Sequence, residues 1–316
     1  MGTFTWAFDA PSGTYKNSAI SSKLRYAAIA EAKMMQFVKA EPGFGKHMGQ
    51  TLNIYRWKNI TVPTTAVLDE NTKIPIDTLS MSSTSITIQE LARGVEYTSL
   101  SQDLSKFDPE SGAQKKLKDQ MKLVLDSLAA TAFKTAKVIF QPTSLTGGTW
   151  TTNGTPSVSA LSNATIDHCG IIRDYMTDTL NVPYYSGEEY VGLASTKFLR
   201  GIKNDPNFIE WRKYIQPGDV LFKSEVGKVE GIRFVEVNNT AALSNSKGAS
   251  GVLGEAVIFG DDGVAMIELQ TPELRAAIPG NFGLQKAVAW YGQLAFGLVW
   301  DTANAGEARV IRVTSS

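Results

Sequence analysis

The sequence is poorest in the side chains that carry redox, metal and imidazole chemistry: one cysteine, Cys169, and two histidines, His47 and His168, in 316 residues. A single cysteine excludes an intramolecular disulfide and any multi-cysteine metal site, so packing alone must hold the fold. Two histidines leave most imidazole acid–base catalysis and most zinc chemistry without the necessary groups. No catalytic, metal-binding or cofactor-binding residue is assigned. Charge of one sign is also lacking, because 31 Lys and Arg balance 31 Asp and Glu. No global field therefore draws the chain to nucleic acid, to a membrane or to an acidic substrate. No apolar run approaches the roughly 18 residues a membrane span needs. The opening MGTFTWAFDAPSG has no basic stretch followed by an apolar one, which leads us to expect a protein made and used in a cytosol. Glycosylation sequons at Asn59, Asn153, Asn163 and Asn238 then carry no meaning.

Signature motifs are missing too. Gly43-Phe44-Gly45-Lys46 is followed by His47 where a phosphate-binding loop needs Ser or Thr, and Ala40 stands where its first glycine belongs. No dinucleotide fingerprint follows a strand. His168 and Cys169 adjoin, but neighbours on a helix point about 100° apart, so they read as a half-exposed histidine and a buried thiol and not as a catalytic pair. Asp69-Glu70 falls in a loop and Asp261-Asp262 in a turn, where acids are solvated. Trp211, Arg212, Lys213 and Tyr214 read as a helix edge with snorkelling side chains. A soluble enzyme with a site near Trp211 and Asp219 is one rival reading, but nothing rises to an enzyme signature, and that absence points toward a structural or assembly role.

What is present is strong patterning. Residues 108–137 read as one long helix: Leu117, Met121, Val124, Leu125, Leu128 and Ala132 form a stripe, with Lys115, Lys118, Asp119, Lys122 and Asp126 opposite. Asp108 suits the N-cap and Pro109 the first helical position, although Gly112 in the first turn allows a start at Ser111. Before it come an aromatic arm (1–13), a helix (15–39), a Pro/Gly breaker (41–49) and strands at 50–58, 84–89 and 92–99. The first strand carries Leu52 and Ile54 on one face and Tyr55 and Trp57 on the other. Residues 59–83 between the first two strands form a long aperiodic loop, a type usually functional or mobile. A two-stranded ribbon is marginal alone, so this one is expected to lean on something outside its own domain. After the long helix we expect a surface excursion at 141–161, a helix at 165–180 capped by Thr165 or Asn163, and a buried strand at 189–195. Short helices at 196–203 and 207–215 precede a hairpin at 220–237 with turn glycines Gly227 and Gly231. Strands around Asp261-Asp262-Gly263, at 286–301 and at 308–313 close an α+β chain.

This order resembles the major capsid protein of tailed bacteriophages, a fold shared with herpesvirus capsid floors and encapsulins. More narrowly, GQTLNIYRWKNI (49–60), Leu68-Asp69-Glu70, Pro75, ITIQELARGVEYTSL (86–100) with the helix after it, and VGKVEGIRFVEVNNT (226–240) are similar to capsid proteins of podovirus-type phages of the N-four group. Leu68-Asp69-Glu70-Asn71 lacks the glycine common at that family's loop tip. The resemblance implies an N-arm (1–46), an extended E-loop (47–100), a peripheral domain with a spine helix (101–164, closed by strands at 280–316) and an axial α/β domain (165–279). It implies hexamers and pentamers in which arm and E-loop lap over neighbours, through Phe4, Trp6, Phe8, Tyr55, Trp57, Val67, Leu68, Ile74 and Ile76. Implied partners are the chain itself, portal and scaffolding proteins, a decoration protein, and packaged double-stranded DNA bound without sequence preference. No membrane is implied; the place is the virion, after assembly in the host cytoplasm. A chain opening directly on the arm implies a separate scaffolding protein or processing. Lys58 and Lys73 read as solvated charges, not as cross-linking sites. An encapsulin-like compartment is the rival on the same fold.

Overall fold

The computed structural model describes residues 27–42, 45, 47–68, 70–206 and 225–316. The arm with Phe4, Trp6 and Phe8, the first part of the helix expected at 15–39, Asp69, the helix expected at 207–215 and Asp219 lie outside the described residues.

From Ala27 the chain is not the expected helix. It runs through a 3-10 turn, Met34–Phe37, into a two-residue strand β1 (Lys39–Ala40). Tertiary partners override local propensity here. The Met34 amide donates to Asp126 Oδ1 at 2.6 Å, Lys33 Nζ donates to the Glu236 carbonyl at 3.0 Å, and the Met34 side chain is fully buried. Strands β2 (Thr51–Trp57) and β3 (Met81–Thr87) pair antiparallel as a ribbon, with Leu52 opposite Ile86 and Arg56 opposite Ser82. Then follow β4 (Gln89–Thr98), a short α1 (Ser99–Leu104) and the long α2 (Pro109–Phe133).

Helix α2 starts where its caps dictate. Asp108 accepts from the amides of Glu110 and Ser111, both at 3.1 Å, and Pro109 occupies the first position, so Gly112 does not move the start. It ends at Phe133, four residues before the expected Lys137, because Val138 begins a buried strand. Leu117 and Leu125 are buried as the stripe requires, and Leu117, Met121 and Val124 pack on Val288, Trp290, Leu91 and Leu274. Each such burial contributes roughly 2 kcal/mol. Asp126 corrects the polar face: it is fully buried, and besides the Met34 amide it accepts from Asn239 Nδ2 at 3.1 Å. A carboxylate is tolerated inside because donors from two other segments satisfy it.

The remaining elements are β5 (Val138–Pro142), β6 (Gly148–Thr151), α3 (Ile166–Asp174), which continues as a π turn (Tyr175–Thr179), β7 (Tyr190–Ser195) and α4 (Thr196–Lys203). They are followed by β8 (Glu225–Val229), β9 (Ile232–Val237), β10 (Ala256–Phe259), β11 (Val264–Ala276), β12 (Gln285–Leu298) and β13 (Val310–Val313). A seven-stranded mixed sheet runs β6-β5-β13-β10-β7-β9-β8, and a four-stranded sheet runs β1-β11-β12-β4. The larger sheet is covered on both faces. Ile166, Cys169 and Ile172 of α3 with Phe198 and Ile202 of α4 pack on one side, and Ala129, Ala130 and Phe133 of α2 with Met34 pack on the other. Burial on both faces makes all six residues of β7 buried, hence their unbroken small and apolar run. Between β10 and β11 the Asp261-Asp262-Gly263 turn is no hairpin: β10 pairs with β7 and β13, whereas β11 pairs with β12 and β1. Helix α2 thus spans both sheets, its N-terminal half on β12 and its C-terminal end against β7 and β10.

Residues 141–161 form the expected surface excursion, with no buried residue from 143 to 159. It is anchored at its ends by buried Gln141 and Ala160 and midway by Trp150, which meets Phe140 at 4.8 Å between ring centroids and stacks on Tyr175 at 3.9 Å. One local expectation is corrected. In the β8–β9 hairpin the turn is Glu230-Gly231, whereas Gly227 (φ 107°) sits at a register shift inside β8.

Candidate assembly surface

The ribbon is rooted in its own chain. Leu52 and Ile54 of β2 and Ile86 of β3 point inward onto Ala265, Ile267, Ala295 and Val299, which corrects the expectation that only an outside surface covers it. The inner face is closed because β12 offers a glycine: a Cβ at Gly297 would stand 2.5 Å from Ile86 Cγ1. The outer face is open. Tyr55 and Trp57 are 65% and 60% exposed, on the strand face that alternation assigns to solvent.

Beyond the ribbon the loop has no regular structure among its described residues between Trp57 and Met81. Val67 is 87% and Ile76 84% exposed, and Leu68, Ile74, Ile60, Val62 and Leu79 are exposed as well. Tyr55, Trp57, Val67, Leu68, Ile74 and Ile76 therefore all stand open to solvent on one strand–loop–strand element. Scattered exposed apolar residues are ordinary, but this many on one excursion need a cover.

A second exposed apolar group was not singled out from the sequence. At the β11–β12 turn Ile278 and Leu284 are exposed and Phe282 is completely so (105%). Leu100 and Leu104 of α1 are exposed beside them, with α1 tied to this turn through Ser99 N to the Leu284 carbonyl at 3.0 Å and Lys286 Nζ to Gln102 Oε1 at 2.9 Å. Asn281 (φ 46°) and Phe282 (φ 56°) are both left-handed, a costly backbone state for a large side chain. The signal lay in IPGNFGLQ (278–285), turn chemistry with three large apolar residues where polar ones are usual.

The histidine and cysteine singled out from the sequence are inert among the described residues. His168 is buried, not half-exposed as expected. Its Nδ1 accepts from the Thr165 amide at 3.1 Å, so Nε2 carries the proton and donates to the Gly147 carbonyl at 3.3 Å. Burial pushes its pKa down and that of the Cys169 thiol up, leaving both neutral. Among the described residues no His, Cys, Asp or Glu cluster has metal-binding geometry and no helix is long and apolar enough to cross a membrane.

No family model matches the sequence, and no curated protein shows significant similarity to it. The fold has clear counterparts among solved structures. A chain of the capsid asymmetric unit of cyanophage Pam1 superposes with a TM-score of 0.69 at 14% identity, covering 98% of this chain and 99% of that one. The acid-stable capsid of Helicobacter pylori bacteriophage KHP30 gives a TM-score of 0.69 at 11% identity over 99% of both chains. The capsid of Ralstonia phage GP4 gives 0.62 at 14% identity over 100% of this chain and 99% of that one. This chain has the phage capsid fold. The capsid fold accounts for the whole described chain, both sheets, the spanning α2 and the strand–loop–strand excursion included. At these identities the likeness speaks for architecture and leaves function to the surfaces.

Proposed function

We propose that this chain is the major capsid protein of a tailed phage, a structural subunit without catalytic activity that self-assembles through hexamers and pentamers into an icosahedral head around double-stranded DNA. One observation carries the reading: on a chain with the phage capsid fold, a closed two-sheet body extends an excursion on which Tyr55, Trp57, Val67, Leu68, Ile74 and Ile76 are all uncovered. Such a surface is satisfied by a neighbour, and in a closed lattice modest contacts accumulate because each is repeated around every ring. The arm residues Phe4, Trp6 and Phe8 belong to the same lapping contact. The division into arm, E-loop, peripheral and axial parts is proposed on the same basis. Portal and scaffolding proteins, a decoration protein and DNA bound through its backbone are the further partners, and the virion is the destination. Zero net charge suits a container that must release its genome, since clamping phosphates takes a surplus of Lys and Arg.

The test is electron microscopy of the purified protein and of a variant in which residues 59–79 are replaced by Asn-Gly, a turn that closes the ribbon after Lys58 and before Ser80. Shells from the full chain and folded, shell-less subunits from the variant are expected. Shells of normal yield and diameter from the shortened chain would overturn the role given to the loop, and small discrete oligomers from the full chain would overturn the capsid reading.

A further inference from the structure

Arg56 is one of the few charged residues buried among the described residues, and it lies on the inward face of β2. Its guanidinium is fully engaged. Nε donates to Ser82 Oγ at 3.0 Å and Nη1 to Thr84 Oγ1 at 2.7 Å, both on β3, while Nη1 also reaches the Val299 carbonyl and Nη2 pairs with Asp301 Oδ1. Half of its partners are therefore on the ribbon and half on the segment leaving β12. Thr84 Oγ1 itself donates to the Val299 carbonyl at 3.2 Å, a second stitch across the same seam.

The ring of Trp300 is the floor of this knot. Arg56 Cζ lies 5.4 Å from its centroid and Arg309 Cζ 4.7 Å, so two guanidiniums share one indole. The indole Nε1 donates to Asp262 Oδ2 at 3.3 Å, and Asp262 also pairs with Lys39 at 3.7 Å. Arg309 Nε is buried without a hydrogen-bond partner, so this guanidinium is held partly by the ring beneath it and by the acids of the 261–262 turn. Trp300 thus gathers groups from the ribbon, from the turn that separates the two sheets and from the residue before β13, and Asp262 of that turn extends the knot to Lys39 of β1. Polar contacts of this kind are directional, whereas the apolar root of the ribbon, Leu52, Ile54 and Ile86, would tolerate rotation on its sheet.

We propose that Trp300, Arg56 and Asp301 form the pivot that fixes the attitude of the β2–β3 ribbon on the four-stranded sheet, and so decide where the loop beyond it presents its apolar residues. They are positioning residues. The attitude of the ribbon is a property of the single subunit; only its consequence for a neighbouring copy rests on the capsid reading above. The apolar root holds the ribbon down on its sheet, and the knot adds the directional contacts that a two-stranded ribbon open on its outer face needs to fix its direction; a buried Arg that loses its carboxylate is left as an uncompensated charge in the seam.

The test uses the full chain with Arg56→Met, and Asp301→Asn as the milder variant at a more exposed site that preserves folding. Hydrogen exchange is followed by mass spectrometry on dilute protein, with electron microscopy of concentrated protein in parallel. Peptides covering 51–57 and 81–87 are expected to exchange at least tenfold faster in Arg56→Met and several-fold faster in Asp301→Asn. Peptides from β10 should be unchanged, and shells should lose yield or uniform diameter. Unchanged ribbon exchange in both variants would overturn the pivot, as would uniform acceleration that includes β10, which would make the knot ordinary core. Selective ribbon exchange in a protein that forms no shells even as wild type would keep the pivot and overturn the capsid reading instead.

Discussion

Glu255 shows how a single carboxylate can hold distant segments of this chain together. It is buried, accepts from the Ser244 amide at 2.9 Å and from Thr314 Oγ1 at 2.8 Å, and pairs with Lys134 Nζ at 3.1 Å, with Lys247 at 4.0 Å. Burial works to raise its pKa, but the Ser244 amide, Lys134 and Thr314 outweigh it and hold the carboxyl below its ordinary value; Arg312 is the further cation facing it. A carboxyl depressed in the folded state stabilises above its unfolded pKa of about 4.3, and that stabilisation is lost as pH falls through the lower folded value. Glu255→Gln should therefore lower stability at pH 7 and narrow its deficit below about pH 4. Urea unfolding of the two proteins from pH 7 to pH 3 checks this, and parallel curves would reject it. His168 acts in another window. Its pKa is lowered by burial, so it costs stability as pH drops below its unfolded value of about 6.5, equally in both proteins.

At the scale of elements the decisive contact is that of Ile86 with Gly297. A side chain at 297 has no room, because its first carbon would meet Ile86 Cγ1 at 2.5 Å and Cδ1 at 2.7 Å. Gly297→Ala is expected to destabilise the subunit by about 1–3 kcal/mol, as overpacking does, and to lift the ribbon from its sheet. Chemical denaturation gives the first quantity and exchange of the 81–87 amides the second; an unshifted midpoint with a protected ribbon would show that the root is not tightly packed. This contact also marks where the sequence stops being legible. Helix α2 could be read almost residue by residue, since Asp108, Pro109 and the Leu117–Leu125 stripe are local signals. The alternation of β2 likewise separated Leu52 and Ile54 from Tyr55 and Trp57, but did not say which pair faces inward. Its inner partner was unreadable because Ile86 and Gly297 are 211 positions apart in the chain. Asp126 misled for a related reason: a charge opposite an apolar stripe reads as solvent-facing until the Met34 and Asn239 donors are known. Of the candidate surface, the ribbon and loop were legible as unsatisfied apolar residues, whereas the group around Phe282 was hidden inside turn composition.

For the whole molecule, what matters is that the two exposed apolar groups are far apart. The ribbon root meets β12 near Gly297 and the Phe282 turn adjoins its first residue, Gln285, so about 40 Å of strand separates them. A subunit with one sticky surface makes dimers or a single ring; joining rings into a closed shell needs a second contact on another side of the same rigid body. The β11–β12 turn is suited to that part because it is both apolar and strained. Phe282 holds a left-handed backbone that costs about 1 kcal/mol or more while its side chain stands fully exposed. Phe282→Gly separates the two effects. Glycine occupies φ 56° freely, and its extra freedom in the unfolded chain offsets part of that relief, so the melting temperature of the isolated subunit should stay within a few degrees of wild type. Assembly should nevertheless fail beyond small rings, because the exposed ring is gone from every junction. Calorimetry of subunits and electron microscopy of concentrated protein read the two arms. Intact shells from Phe282→Gly would show that this turn faces solvent in the assembled head, and a large fall in subunit stability would show that Phe282 serves its own fold.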